Sequence, residues 1–292
     1  MCDQDSIDDI LEYQLRNPGM SRRHFGALTL GAGLMSMLPP VAGAVTVQDS
    51  EVDIKTPDGT ADGYFVHPAS GTAPAVLVWP DIYGLRPAFR QMGRRLAESG
   101  YSVLVVNPFY RAKRAPTAPE NPDFNDAATR ASLMGLMGAL TPATTVTDAR
   151  AFVAWLDAQD SVSRKRKMGT TGYCMGGSLT MRTAATLPAR IGAGASFHGG
   201  SLVTDKPDSP HLLIPKIKAH YLFAIAENDD QRQPDAKTVL RDAFAKTNVP
   251  AEIEVYAGTL HGWCPPDSRV YNDAQAEKAW ARMLALFKSA LA

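Results

Sequence analysis

Three things that would assign a chain to a class at once are scarce in these 292 residues. There is no excess of one charge: 30 Lys and Arg stand against 30 Asp and Glu, so no strong field awaits nucleic acid or an anionic membrane. Cysteine and histidine are few, 3 and 6, with no CxxC pair and no HExxH helix, which leaves no disulfide framework and no zinc-type ligand set to read. Long apolar runs are missing too. The weakly apolar stretch 27–38 falls well short of the roughly 20 residues a helix needs to span a bilayer, so no stable membrane anchor is expected. The one basic run, Arg164-Lys165-Arg166-Lys167, reads as a solvated turn.

What is present gathers around one cysteine. Cys174 lies in Gly172-Tyr173-Cys174-Met175-Gly176-Gly177, after a strand candidate and at the opening of a helical stretch. That is the form of the G-x-S-x-G nucleophile elbow with sulfur in place of oxygen, where glycines are needed because a Cβ would strike neighbouring backbone. A thiol nucleophile needs a base and a third group to orient it. The strand candidate 219–226 runs into Glu227-Asn228-Asp229-Asp230, and the candidate 251–256 leads to His261-Gly262-Trp263. Both polar groups fall just past strand C-termini, where open α/β sheets place ligands. The order nucleophile, acid, histidine nominates Cys174, Asp229 and His261, with Asp230 as the alternative acid.

The remaining pattern alternates strands and helices, which predicts a mostly parallel sheet flanked by helices. Strands are expected at 52–54, 62–67, 75–79, 102–106, 168–172, 194–197, 220–226 and 252–256, and helices at 88–99, 147–158, 175–186, 236–246 and 273–291. In the last helix Trp280, Met283, Leu284 and Phe287 recur at helical spacing and should face the core. The proline-punctuated stretch 111–145 reads as a cap with a short helix over the site, with Met134 and Met137 packing it onto the sheet or else lining an apolar substrate pocket. His198 is expected to border the pocket as a hydrogen-bonded structural histidine, and Cys264 to be a small packing residue rather than a disulfide partner of Cys174.

These residues resemble the dienelactone hydrolase family, cysteine-dependent members of the α/β-hydrolase superfamily. The likeness spans about residue 47 onward and rests on Gly-Tyr-Cys-Met-Gly-Gly, Asp229, His261-Gly262-Trp263 and Trp79-Pro80-Asp81-Ile82-Tyr83-Gly84-Leu85. It implies an α/β-hydrolase fold with oxyanion donors from the backbone N–H groups of Met175 and Ile82. It also implies a small-molecule ester or lactone substrate and no cofactor or metal. Where many members carry Glu, this chain has Asp81, expected either to gate the resting thiol or to cap the following helix. Arg130 falls where one substrate-carboxylate arginine is expected, or is an exposed helix residue; the second family arginine is displaced to Arg269.

Near the start, Ser21-Arg22-Arg23-His24-Phe25, the short apolar run and Ala42-Gly43-Ala44 read as a twin-arginine (Tat) signal peptide over 1–44, cut after Ala44. The domain 45–292 would then carry 27 basic and 25 acidic residues, and the protein would meet the Tat export machinery and be periplasmic or secreted. The expected activity is ester or lactone hydrolysis through a thiol acyl-enzyme. Alternatives are a broad-specificity periplasmic carboxylesterase, a non-catalytic binding scaffold, and a thiol-redox protein using Cys174 with Cys264.

Overall fold

The computed structural model describes residues 38–120 and 122–292; the twin arginines and the apolar run up to residue 37 lie outside them. Eight strands, β1 (Val47–Thr56), β2 (Gly59–Pro68), β3 (Ala75–Trp79), β4 (Ser102–Val106), β5 (Met168–Tyr173), β6 (Ile191–Phe197), β7 (His220–Ala226) and β8 (Ala251–Tyr256), form a sheet in the order β1-β2-β4-β3-β5-β6-β7-β8. β1 and β2 make an antiparallel hairpin, β2 runs antiparallel to β4, and every other pairing is parallel. The central strands β3 and β4 are buried at every position, the apolar run a strand needs when helices cover both faces of a parallel sheet. The outer strand β1 instead carries Asp49, Glu51 and Asp53, paired with Arg94, Arg90 and Arg114, a charged finish suited to an edge.

The helices are α1 (Pro87–Glu98), α2 (Ala127–Met137), α3 (Pro142–Asp157), α4 (Met175–Thr186), α5 (Glu227–Arg232), α6 (Ala236–Ala245) and α7 (Asp273–Ala290), with a 3-10 turn at Pro210–Lys216. On one face of the sheet Phe152, Val153, Leu179, Met181, Leu240 and Phe244 pack from α3, α4 and α6. On the other, α1 and α7 bring Phe89, Met92, Leu96, Trp280, Met283 and Phe287. Each such side chain contributes about 1.5–3 kcal/mol on full burial. α1 sits so close to β4 that a Cβ on Gly93 would meet Val105 Cγ2 at 2.7 Å. Among the described residues no helix is long and apolar enough to cross a membrane.

The fold class matches the expectation and a strand forms at each of the eight expected places, but β1, expected at 52–54, runs Val47–Thr56 and β6, expected from 194, starts at Ile191; the other departures are local. α3 begins at Pro142 rather than residue 147, because Thr141 and Thr144 form a reciprocal capping box and Pro142 has a pre-set φ at the helix start. The first turn of α3 therefore occupies the end of the stretch 111–145. The short helix expected within 111–145 is α2, started by Asp126, whose side chain accepts the Thr129 N–H. Met137 packs inward against the cluster that holds Cys174, whereas Met134 does neither of the things expected of it: it is 39% exposed.

Candidate active site

The C-terminal ends of β3, β5, β6, β7 and β8 lead in turn to Asp81, Cys174, His198, Asp229 and His261. Cys174 joins β5 to α4 with φ 55 and ψ −119, a left-handed conformation that costs a non-glycine residue about 1–3 kcal/mol. The surroundings impose it. A Cβ on Gly172 would lie 2.1 Å from Gly176 O, and one on Gly176 would lie 2.3 Å from Trp79 O and 2.9 Å from Pro80 O. The elbow therefore rests directly on the backbone that leaves β3, the segment that carries Ile82. Ile82, Cys174 and Met175 pack in a single apolar cluster with Phe109 and Leu133. Met175 is the first residue of α4, so its N–H is one of the helix's unclaimed donors.

His261 Nδ1 bonds Asp229 Oδ2 at 2.8 Å. The two loops are also stitched through backbone: Asn228 Oδ1 accepts the His261 N–H at 2.8 Å, Thr259 Oγ1 accepts the Glu227 N–H at 3.2 Å, and Glu227 Oε2 accepts the Gly258 N–H at 2.9 Å. Burial would lower the His261 pKa; the charges of Asp229 and then of Cys174, with a hydrogen bond to each, reverse this and raise it to about 10. For Asp229, burial acts upward, but the His261 charge and hydrogen bond prevail and hold its carboxyl below the usual range. The combination is an imidazolium held against the Asp229 carboxylate. Asp230 belongs elsewhere, paired with Lys237 at 2.6 Å.

His198 is a support for the elbow. It is 1% exposed, and its Nδ1 accepts the Cys174 N–H at 3.2 Å, which leaves the ring proton on Nε2. Its ring meets His261 edge-on with centroids 5.1 Å apart. Burial, and next the His261 charge, hold its pKa well below the ordinary histidine range, so it stays neutral. Cys264 is a buried free thiol packed with Tyr173 and Trp280, its pKa pushed well up by burial.

The other residues singled out in the sequence scatter. Both Asp81 oxygens are held by Arg86, at 2.6 and 3.0 Å. Arg130, half-buried on α2, donates to Phe124 O at 3.3 Å and stands one turn before Leu133. Arg269 is on the surface, paired with Asp123 at 3.2 Å. Phe124, Leu133, Leu136 and Met137 from the stretch 111–145 pack with Cys174 in one apolar cluster, and Cys174 is 6% and His261 8% exposed. Sequence reasoning missed Arg86 and Asn228; the latter had a signal, being a polar residue beside the candidate acid. Among the described residues no three His, Cys, Asp or Glu side chains converge as a metal site.

An eight-stranded, mostly parallel sheet with helices on both faces and a strained elbow at its centre defines an α/β-hydrolase. The model of the dienelactone hydrolase family matches residues 61–291, and the chain belongs to that family and is a hydrolase. A Synechocystis protein provisionally named a carboxymethylenebutenolidase is 27% identical over 252 residues, 85% of this chain and 99% of that one. A Methylorubrum extorquens protein with the same provisional name is 26% identical over 92% of this chain and 93% of its own. The crystal structure of a provisionally named dienelactone hydrolase from Klebsiella pneumoniae superimposes with a TM-score of 0.72 at 23% identity, covering 83% of this chain and 99% of that one.

Proposed function

We propose that the chain, an ester and lactone hydrolase by family, works through a Cys174-His261-Asp229 triad and a thiol acyl-enzyme. The observation that carries this is the 2.8 Å Asp229–His261 bond joined to a histidine raised to about 10 by Asp229 and Cys174 together. The Cys174 thiolate attacks the acyl carbon, and the Met175 and Ile82 N–H groups receive the developing oxyanion. As the tetrahedral species collapses, His261 gives its proton to the leaving alkoxide. The now neutral His261 takes a proton from water, the resulting nucleophile attacks the thioester, and the acid leaves as the thiolate and imidazolium re-form. Arg130, half-buried on α2, is the cation proposed to meet a substrate carboxylate, in keeping with relatives named for a carboxylated lactone.

Rapid quenching of a slow ester across pH tests the scheme. The peptide holding Cys174 should gain the acyl mass and lose it at the turnover rate. Acylation should hold up at neutral pH and fall as pH rises through about 10, where the imidazolium loses its proton. Stability follows the same sign: a raised histidine pKa contributes fully below its ordinary value of 6.5, and that contribution is lost as pH climbs through about 10. Acyl mass on another residue would sink the triad.

We also infer export by the Tat machinery to the periplasm or beyond. Ser21-Arg22-Arg23, the short apolar run and the exposed Ala42, Gly43 and Ala44 support it. The protein recovered outside the cytoplasm should begin at Val45; an intact N-terminus there would count against cleavage after Ala44.

A further inference from the structure

Arg86, at the start of α1, is the most heavily engaged side chain near the site. Nη1 and Nη2 donate to Asp81 Oδ1 and Oδ2 at 2.6 and 3.0 Å, while Nε and Nη2 donate to Asp267 Oδ2 and Oδ1 at 2.6 and 3.0 Å. Both edges of one planar guanidinium thus hold a carboxylate two-pronged, an arrangement lysine cannot reproduce. The group lies over the Phe89 and Tyr83 rings, at 4.9 and 5.3 Å, and is 12% exposed. Burial works against its charge, but the two carboxylates outweigh it and keep Arg86 protonated.

The clamped Asp81 also ties down the turn around Ile82. Asp81 Oδ1 also accepts the Tyr83 N–H at 2.9 Å, and Asp81 O accepts the Gly84 N–H at 2.9 Å. Ile82 therefore sits between two residues tied by the same carboxylate, its own side chain 3% exposed against Cys174 and Met175. Asp267 lies six residues past His261, so the same guanidinium joins the β3 loop to the histidine loop. We propose that Arg86 is a positioning residue: through Asp81 it fixes the Asp81–Ile82 peptide with its N–H aimed as an oxyanion donor, and through Asp267 it keeps the histidine loop in register with that donor. This rests on the acyl-transfer reading above. A donor set before substrate arrives needs no reorganisation in the transition state. In this arrangement Asp81 is an anchor of the oxyanion loop rather than a gate on the thiol.

The test compares the full chain with Arg86→Lys and Asp81→Asn on p-nitrophenyl acetate, alongside Cys174 alkylation by neutral iodoacetamide and thermal melting. Alkylation needs the thiolate and no oxyanion donor. The expected result for each variant is kcat lowered about 10- to 100-fold with KM and alkylation rate within about 2-fold of wild type, the split left when a transition-state contact alone is misplaced. Three outcomes overturn the proposal: unchanged kcat in folded Arg86→Lys, alkylation that changes in step with kcat, as a thiol gate would give, or an unfolded Arg86→Lys beside an Asp81→Asn with wild-type turnover. Cys174→Ala is run with them. Activity that survives loss of the thiol overturns the acyl-transfer reading, and this proposal with it; activity that needs the thiol but ignores Arg86→Lys overturns the proposal alone.

Discussion

Replacing Cys174 with alanine is expected to lower ester turnover by about ten-thousand-fold or more while leaving the protein folded, since loss of the nucleophile leaves only binding and the oxyanion donors to act. The left-handed backbone at this residue is imposed by Gly172 and Gly176 packing against their neighbours, so alanine inherits the same conformation. Cys174→Ser should also fold and lose most activity, because a hydroxyl does not ionise beside an imidazole as a thiol does. A second readout is independent of substrate. The Cys174 charge is one of the causes that raise His261, so the imidazole of the alanine variant should titrate below about 10. Ester assays and histidine NMR titration provide the check, and alanine variants with wild-type rates would leave the thiol without a catalytic part.

The second large effect belongs to the acid. Asp229→Asn is expected to cost about a thousand- to ten-thousand-fold in kcat, because the amide can hold the ring in the wrong tautomer and offers no charge to the imidazolium. Asp229 is the foremost influence raising His261 against burial; without it burial gains the upper hand and the alkaline limb of activity should move to lower pH. Asp230→Asn is the matched control. Its carboxylate pairs with Lys237, a partly exposed contact typically contributing about 0–1 kcal/mol, and turnover should stay within about 3-fold of wild type. Equal losses at both positions would mean that the carboxylate in contact with the ring is not what sets its charge.

How much of this was legible in the chain follows from the range over which each feature is encoded. The elbow is six consecutive residues, and strand ends can be read one at a time, so Cys174, Asp229 and His261 could be nominated by order alone, and the structure brings Asp229 and His261 into contact. The start of α3 was missed because its signal, Thr141-Pro142 with Thr144, lies in a stretch whose prolines suggested loop. α5 was missed because the acidic cluster after β7 looked like a strand exit, yet Glu227–Arg232 coils into a short helix. Arg86 was invisible for a different reason. Its partners Asp81 and Asp267 are 5 and 181 residues away, and nothing local distinguishes an arginine before a proline from any surface arginine. Likewise the Cys174–His198 bond spans 24 residues and exists only because β5 and β6 are neighbours in the sheet.

The apolar cluster of Phe124, Leu133, Leu136 and Met137 with Cys174 has a consequence for the lifetime of the molecule as well as for its chemistry. A thiolate paired with an imidazolium is the form that peroxides oxidise first, and oxidation past the sulfenic acid is not reversed. With Cys174 6% exposed beneath these side chains, a peroxide in solution meets little of its sulfur. The side chains that screen this thiol from oxidants are the same ones that stand between it and anything arriving from solvent, so chemical protection and access are set by one group of apolar contacts.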